Sequence, residues 1–143
     1  MGIYLNPDSS KFEEAVNSDI YVDKTGLLTY TNSVLHTMQK YICISRPRRF
    51  GKSTAANMLT AYYSRGCDAE QIFSQFEIAK DSGFKKYLNK YNTISVNMQE
   101  ILSRSRSIYE LIERFNKLLI RDLKKEYLDV DYFDDTDVIE CMQ

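Results

Sequence analysis

The stretch YICISRPRRFGKSTAANML, Tyr41 to Leu59, decides how this chain is read. It opens on a continuous apolar, β-branched run, the composition of a strand buried on both faces. A loop carrying Arg46, Arg48 and Arg49 follows. Beyond Lys52 the period changes: Ala55, Met58, Leu59 and Tyr62 recur at i, i+3, i+4 and i+7, which predicts an amphipathic helix. A strand turning tightly into a helix N-terminus supplies what a phosphate needs, namely converging backbone N–H donors and the positive end of a helix dipole.

The loop nearly fits the phosphate-binding pattern G-x-x-x-x-G-K-[ST], with Arg46 where the first glycine is expected. That glycine eases the turn out of the strand, whereas the wrapping donors lie later, so the exchange leaves the cradle in place. Gly51 can adopt a conformation that a side chain would resist and lets an anion approach the backbone. Lys52 would reach the outer phosphates as a point charge, Ser53 would offer its hydroxyl to Mg2+, and Thr54 adds an amide and a hydroxyl. Pro47, which has no N–H, falls early enough to remove no essential donor. The competing reading is a solvated, arginine-rich surface turn. A variant of it has Arg46, Arg48, Arg49 and Lys52 gripping a nucleic-acid backbone.

Outward from this segment, Ser10 and Glu13 have capping-box spacing and predict a short helix from about Lys11. Thr25 can cap a second helix bearing Leu27, Leu28, Val34, Leu35 and Met38. "TISVN" reads as a second strand, and Ile108, Leu111, Ile112, Phe115, Leu118, Leu119 and Leu123 trace one face of a long helix with charged residues opposite. Strand, helix, strand, helix in this order predicts an α/β fold, a partial P-loop NTPase-like parallel sheet flanked by helices. Two strands make a poor sheet. Either further strands hide in Ile20–Val22 and Val138–Cys141, or residues 1–143 are a single, incomplete domain, with 129–143 an acidic tail or the start of a next element.

The 143 residues are 43% apolar and 13% aromatic, enough for a core, and no apolar run approaches the roughly 18 residues of a membrane span. With no secretory pattern at Met1, the expected location is cytoplasmic, without membrane contact. Cys43, Cys67 and Cys141 are odd in number and not at metal-ligand spacing, so they read as reduced thiols, Cys43 as a buried one. The net charge of −1 hides an asymmetry: residues 1–125 carry +6, and seven acids crowd Glu126–Glu140. A basic body can hold phosphate, although such an imbalance is also common on solvated surfaces.

"SRPRRFGKST", preceded by "YVDKTGLL" and followed by "YNTISVNMQE", resembles the predicted AAA-ATPase-like domain of bacterial and archaeal proteins, from about Asn6 to the long helix. In that family R-P-R-R-F-G-K-[ST] is itself typical, so Arg46 belongs to the resemblance. The resemblance implies ATP bound with Mg2+ through Arg48, Arg49, Phe50, Gly51, Lys52, Ser53 and Thr54, with Arg46, Asp23 and Lys24 as possible accessories. It also implies a possible partner in a nuclease-like region of the PD-(D/E)XK type, which many members carry downstream. The acidic strand motif that hydrolysis uses is missing, since "TISVNM" ends at Asn97 and Gln99 with only Glu100 beyond. ATP binding with hydrolytic activity absent or very weak is therefore expected of this chain.

Asp23 and Lys24 are read equally well as a turn and cap ahead of the second helix. His36, the single histidine, has no ligand cluster around it and reads as a surface helical residue. The tail places Asp129, Asp131, Asp135, Asp137 and Glu140 almost as in a calcium loop, but Phe133 and Asp134 break the pattern. A solvated linker is the better account. The tyrosines are spread through helices as core residues, not as a stacking platform.

Overall fold

The computed structural model describes residues 2–129, Val138 and Met142. Their backbone is helical, and the parallel sheet expected from the sequence is not formed. Among the described residues, β pairing is confined to two isolated bridges, antiparallel between Leu5 and Ile94 and parallel between Ser64 and Tyr91. The reason lies in partners. Among the described residues Tyr41–Ser45 finds no neighbouring strand to exchange hydrogen bonds with, and a strand exists only through such a ladder. Tyr41 is 85% exposed, Ile42 and Ile44 are about 40% exposed, and Cys43 is exposed, against the burial expected for this run. The second apolar run does not pair with it either: Ile94 bridges to Leu5, a residue of its own compact unit. Ile20 and Val22 are exposed and also form no strand, while Ile139–Cys141 lie outside the described residues.

Asp8–Thr93 form one unit. Its helices are α1 (Ser10–Val16), α2 (Gly26–Val34), α3 (Lys52–Tyr63), the short α4 (Glu70–Phe73) and α5 (Phe84–Tyr87), with a 3₁₀ turn at Glu77–Lys80. Ser9, one residue earlier than expected, is the cap of α1, and its hydroxyl bonds the Glu13 carboxylate. Thr25 takes the N-cap position of α2, but its side chain makes no capping bond into the helix, which ends at Val34, so His36 and the exposed Met38 lie outside it. Phe12, Leu28, Met58, Ala61, Tyr62, Phe73 and Ile78 are buried together, with Phe12 stacked on Phe73 at 5.1 Å and Tyr62 meeting Phe73 edge-on at 5.3 Å. Aromatic pairs in these arrangements contribute beyond the area they bury.

Polar atoms inside this core are matched. The Tyr62 hydroxyl accepts from Asn32 Nδ2 at 3.0 Å and donates to the Phe84 carbonyl at 3.1 Å. The Tyr63 hydroxyl donates to Asn32 Oδ1 at 2.7 Å. Burial, only partly offset by the bond to Thr31, pushes the Tyr63 hydroxyl up to about 12. Between pH 10 and 12 the folded protein therefore keeps a proton that the unfolded chain has lost. Stability from this group is complete below about pH 10 and declines as pH rises through that window. Burial and the charge of Asp23 push the Tyr21 hydroxyl up to about 12 as well, so a tyrosinate absorbance titration at 295 nm should show a component near pH 12 whose amplitude falls by one tyrosine in Tyr63→Phe; an unchanged amplitude would assign that component elsewhere.

The other unit joins Met1–Pro7 to the chain from Ile94 onward. It contains α6 (Met98–Ser103) and α7 (Ile108–Glu126), capped by the side chains of Asn97 and Ser107 respectively. Only the C-terminal half of α7 is buried: Leu119, Ile120 and Leu123 pack with Leu5 and Val138, while Ile108 and Ile112 of the predicted apolar face are exposed. Asp122, on the same helix, is 1% exposed, and its Oδ2 accepts the backbone N–H of Tyr4 at 2.7 Å and of Leu5 at 3.4 Å. This carboxylate is thus the anchor of the N-terminal segment, a role its place in a charged helical stretch does not advertise.

Candidate functional site

The loop from Arg46 to Thr54 turns into α3 through two residues in the left-handed region, Arg49 at φ +66° and Gly51 at φ +74°. Gly51 is the N-cap of α3 and offers no side chain to its first turn. The first backbone bond into the helix runs from Ala55 N to Gly51 O at 2.9 Å, so the N–H groups of Lys52, Ser53 and Thr54 have no backbone acceptor. In α6 and α7 the corresponding donors are met by Asn97 and Ser107. The Lys52 ammonium curls back and donates to the Arg46 carbonyl at 2.7 Å, which closes the loop on itself.

A second lysine reaches the same loop from the segment before α2. Lys24 Nζ donates to the Phe50 carbonyl at 3.0 Å, and a Cβ placed on Gly51 would lie 2.6 Å from that ammonium. Glycine at 51 is favoured by this left-handed backbone conformation, whereas a side chain there would displace only the flexible end of Lys24. The residues flanking Lys24 are tied down. Asp23 Oδ1 accepts from Thr25 N at 2.8 Å and Oδ2 from Glu77 N at 3.0 Å, while the buried Thr25 Oγ1 accepts from Ile78 N at 3.2 Å. Partial burial pushes the Asp23 carboxyl up, but the donors from Glu77 and Thr25 and the charge of Lys80 outweigh it and hold it below the usual carboxylate range.

The two sequence readings of Asp23-Lys24-Thr25 are thereby divided among its members. Asp23 and Thr25 hold the turn to the 3₁₀ segment, and Lys24 is the one whose side chain meets the loop. Arg46, Arg48, Arg49, Phe50, Lys52 and Ser53 are exposed. Among the described residues no carboxylate pairs with Lys24, Arg46, Arg48, Arg49 or Lys52. His36, exposed at φ +63°, has its Nε2 3.2 Å from the Tyr91 hydroxyl. Of the calcium-loop acids only Asp129 falls among the described residues, within which no metal-binding cluster of His, Cys, Asp or Glu occurs. A groove of about 670 Å³ follows the C-terminal half of α7, lined by Lys117, Ile120, Arg121 and Lys124, and none of the residues singled out from the sequence lines it.

The Lys24 contact was out of reach of local spacing, because 26 residues separate the ammonium from the carbonyl it bonds. The order of the two motifs is the one signal that pointed there. No helix among the described residues is long and apolar enough to cross a membrane. No curated protein and no solved structure matches the chain. A family model described as "Predicted AAA-ATPase" matches residues 9–140, and the chain belongs to this AAA-ATPase-like family.

Proposed function

We propose that this AAA-ATPase-like chain binds ATP, with its phosphates cradled by the backbone of Phe50–Thr54 and the side chains of Arg48, Arg49 and Lys52. The observation that carries the reading is the opening of α3, where three amides without acceptors and a left-handed glycine meet a group of cations that no carboxylate among the described residues neutralises. A trianion or tetra-anion is the complement of that donor set, since it accepts from amides and ammonium groups alike. Lys52 would exchange the Arg46 carbonyl for a phosphate oxygen. Mg2+ would take the Ser53 hydroxyl as its protein ligand and fill its remaining positions with phosphate oxygens and water.

The reading is one of binding, with no hydrolytic step assigned. Calorimetric titration of the protein with Mg-ATP tests it: saturable binding at one site is expected, weakened when Mg2+ is withheld. The rival reading, an arginine loop on a nucleic-acid backbone, predicts instead a steep salt dependence of oligonucleotide binding that ATP does not compete away. That outcome would displace the nucleotide.

A further inference from the structure

Within the site just proposed, and resting on that reading, we infer that Lys24 is a second phosphate-facing cation, and that the pair Lys24 and Lys52 selects a polyphosphate over a monophosphate. The geometry is specific. The Lys24 ammonium lies over Gly51, the residue whose missing side chain opens the backbone to an anion, and it bonds a neutral carbonyl of the same loop. One of its three N–H donors is spent there, which leaves two for a ligand. Lys52 is in the same condition, with one donor on the Arg46 carbonyl and the rest free. Each ammonium thus rests on a loop carbonyl, one from before α2 and one from α3 itself, and neither is held by a carboxylate among the described residues.

Asp23 and Thr25 make this placement rigid without touching the loop. Their bonds to the amides of Glu77 and Ile78 fix the backbone on both sides of Lys24, so its side chain alone is free to swing from the Phe50 carbonyl to an incoming oxygen. A single lysine would suffice for one phosphate. Two ammonium groups approaching from different segments match a chain of phosphates, and the benefit of the second should grow with the length of that chain.

Calorimetry with Mg-ATP, Mg-ADP and AMP on the wild type and on Lys24→Met, Lys24→Gln, Asp23→Ala and Lys52→Ala tests this. Lys24→Met should weaken ATP about tenfold, ADP less and AMP by under twofold. Lys24→Gln, whose amide can still donate to Phe50 O, should lose ATP affinity similarly, because charge rather than the loop bond is what is lost. Asp23→Ala, which has no ligand contact, should show the same ranking in milder form. Because Lys24 is exposed, the thermal midpoints of its variants should stay near wild type. Equal losses for ATP and AMP, or unchanged ATP affinity in Lys24→Met alongside a crippled Lys52→Ala, would overturn the role of Lys24 while sparing the site. A wild type that binds none of the three, or a Lys52→Ala that binds ATP normally, would remove the site and this inference with it.

Discussion

Lys52→Ala is expected to weaken Mg-ATP binding by about 30- to 900-fold, because an ammonium making two charge-assisted bonds to phosphate oxygens contributes roughly 3–5 kcal/mol. Part of that is offset in the wild type by the bond to the Arg46 carbonyl that must be released, which is worth about 1 kcal/mol. The loss should show twice. In calorimetry the binding isotherm should flatten at concentrations that saturate the wild type. In thermal unfolding, ligand at about 100 times its dissociation constant stabilises by about 2.7 kcal/mol, and that increment should fall below about 1 kcal/mol in the variant. Lys52 is exposed and outside the core, so the ligand-free midpoint should move little. Wild-type affinity in Lys52→Ala would separate the loop from nucleotide altogether.

The sequence made some of this structure legible and concealed the rest for identifiable reasons. The helix after the loop was visible because Met58 and Tyr62 recur on one face and both are buried. The loop itself was visible because Gly-Lys-Ser at a helix start is a local signal, and the left-handed Gly51 occurs where the pattern places it. The sheet was misread because β-branched composition reports fitness for a strand, not the presence of a partner. Tyr41–Ser45 has the composition and, among the described residues, no neighbouring strand. Along α7 the apolar period is real, yet Ile108 and Ile112 of its first half stay exposed, while Asp122, seven residues after Phe115 and so on the apolar face despite its charge, is buried with its carboxylate bonded to Tyr4 and Leu5. Periodicity states which residues share a face; it does not state which part of the face is covered.

Polar residues that organise the backbone over long distances left the weakest trace. Asp23 and Thr25 are ordinary cap residues in sequence, and their partners Glu77 and Ile78 lie more than 50 positions away. Their effect on the site is indirect: they carry Lys24 to the loop. The two ends of α3 bring out the same point. At its C-terminus the carbonyls of Ala61, Tyr62 and Tyr63 are all met by the segment Asn89–Tyr91. At its N-terminus the amides are left without acceptors. A helix closed at one end and open at the other presents its donors in one direction, toward the loop.

The residue that closes it gives the largest expected effect on stability. Asn89→Ala should cost about 3 kcal/mol, from three sources. Asn89 Nδ2 donates to the carbonyls of Ala61 and Ser64, each at 2.8 Å, and to that of Tyr62 at 3.3 Å. Its Oδ1 accepts the N–H of the buried Ala69 at 3.0 Å, which fixes the entry to α4. Its backbone sits at φ +53°, a conformation that asparagine tolerates and alanine resists by about 1 kcal/mol. Asn89→Gly relieves the third source while keeping the loss of the first two, so it should fall about 1 kcal/mol short of the alanine variant's deficit. Urea unfolding of the three proteins, with unchanged slope, would resolve the difference, and for a chain of this size the alanine variant's midpoint should drop by roughly 10 °C on heating. Should glycine prove as costly as alanine, the left-handed backbone contributes nothing and the hydrogen bonds account for the whole effect. Should alanine cost under about 1 kcal/mol, water replaces Asn89 at the helix end and the closed terminus of α3 is not what holds this region together.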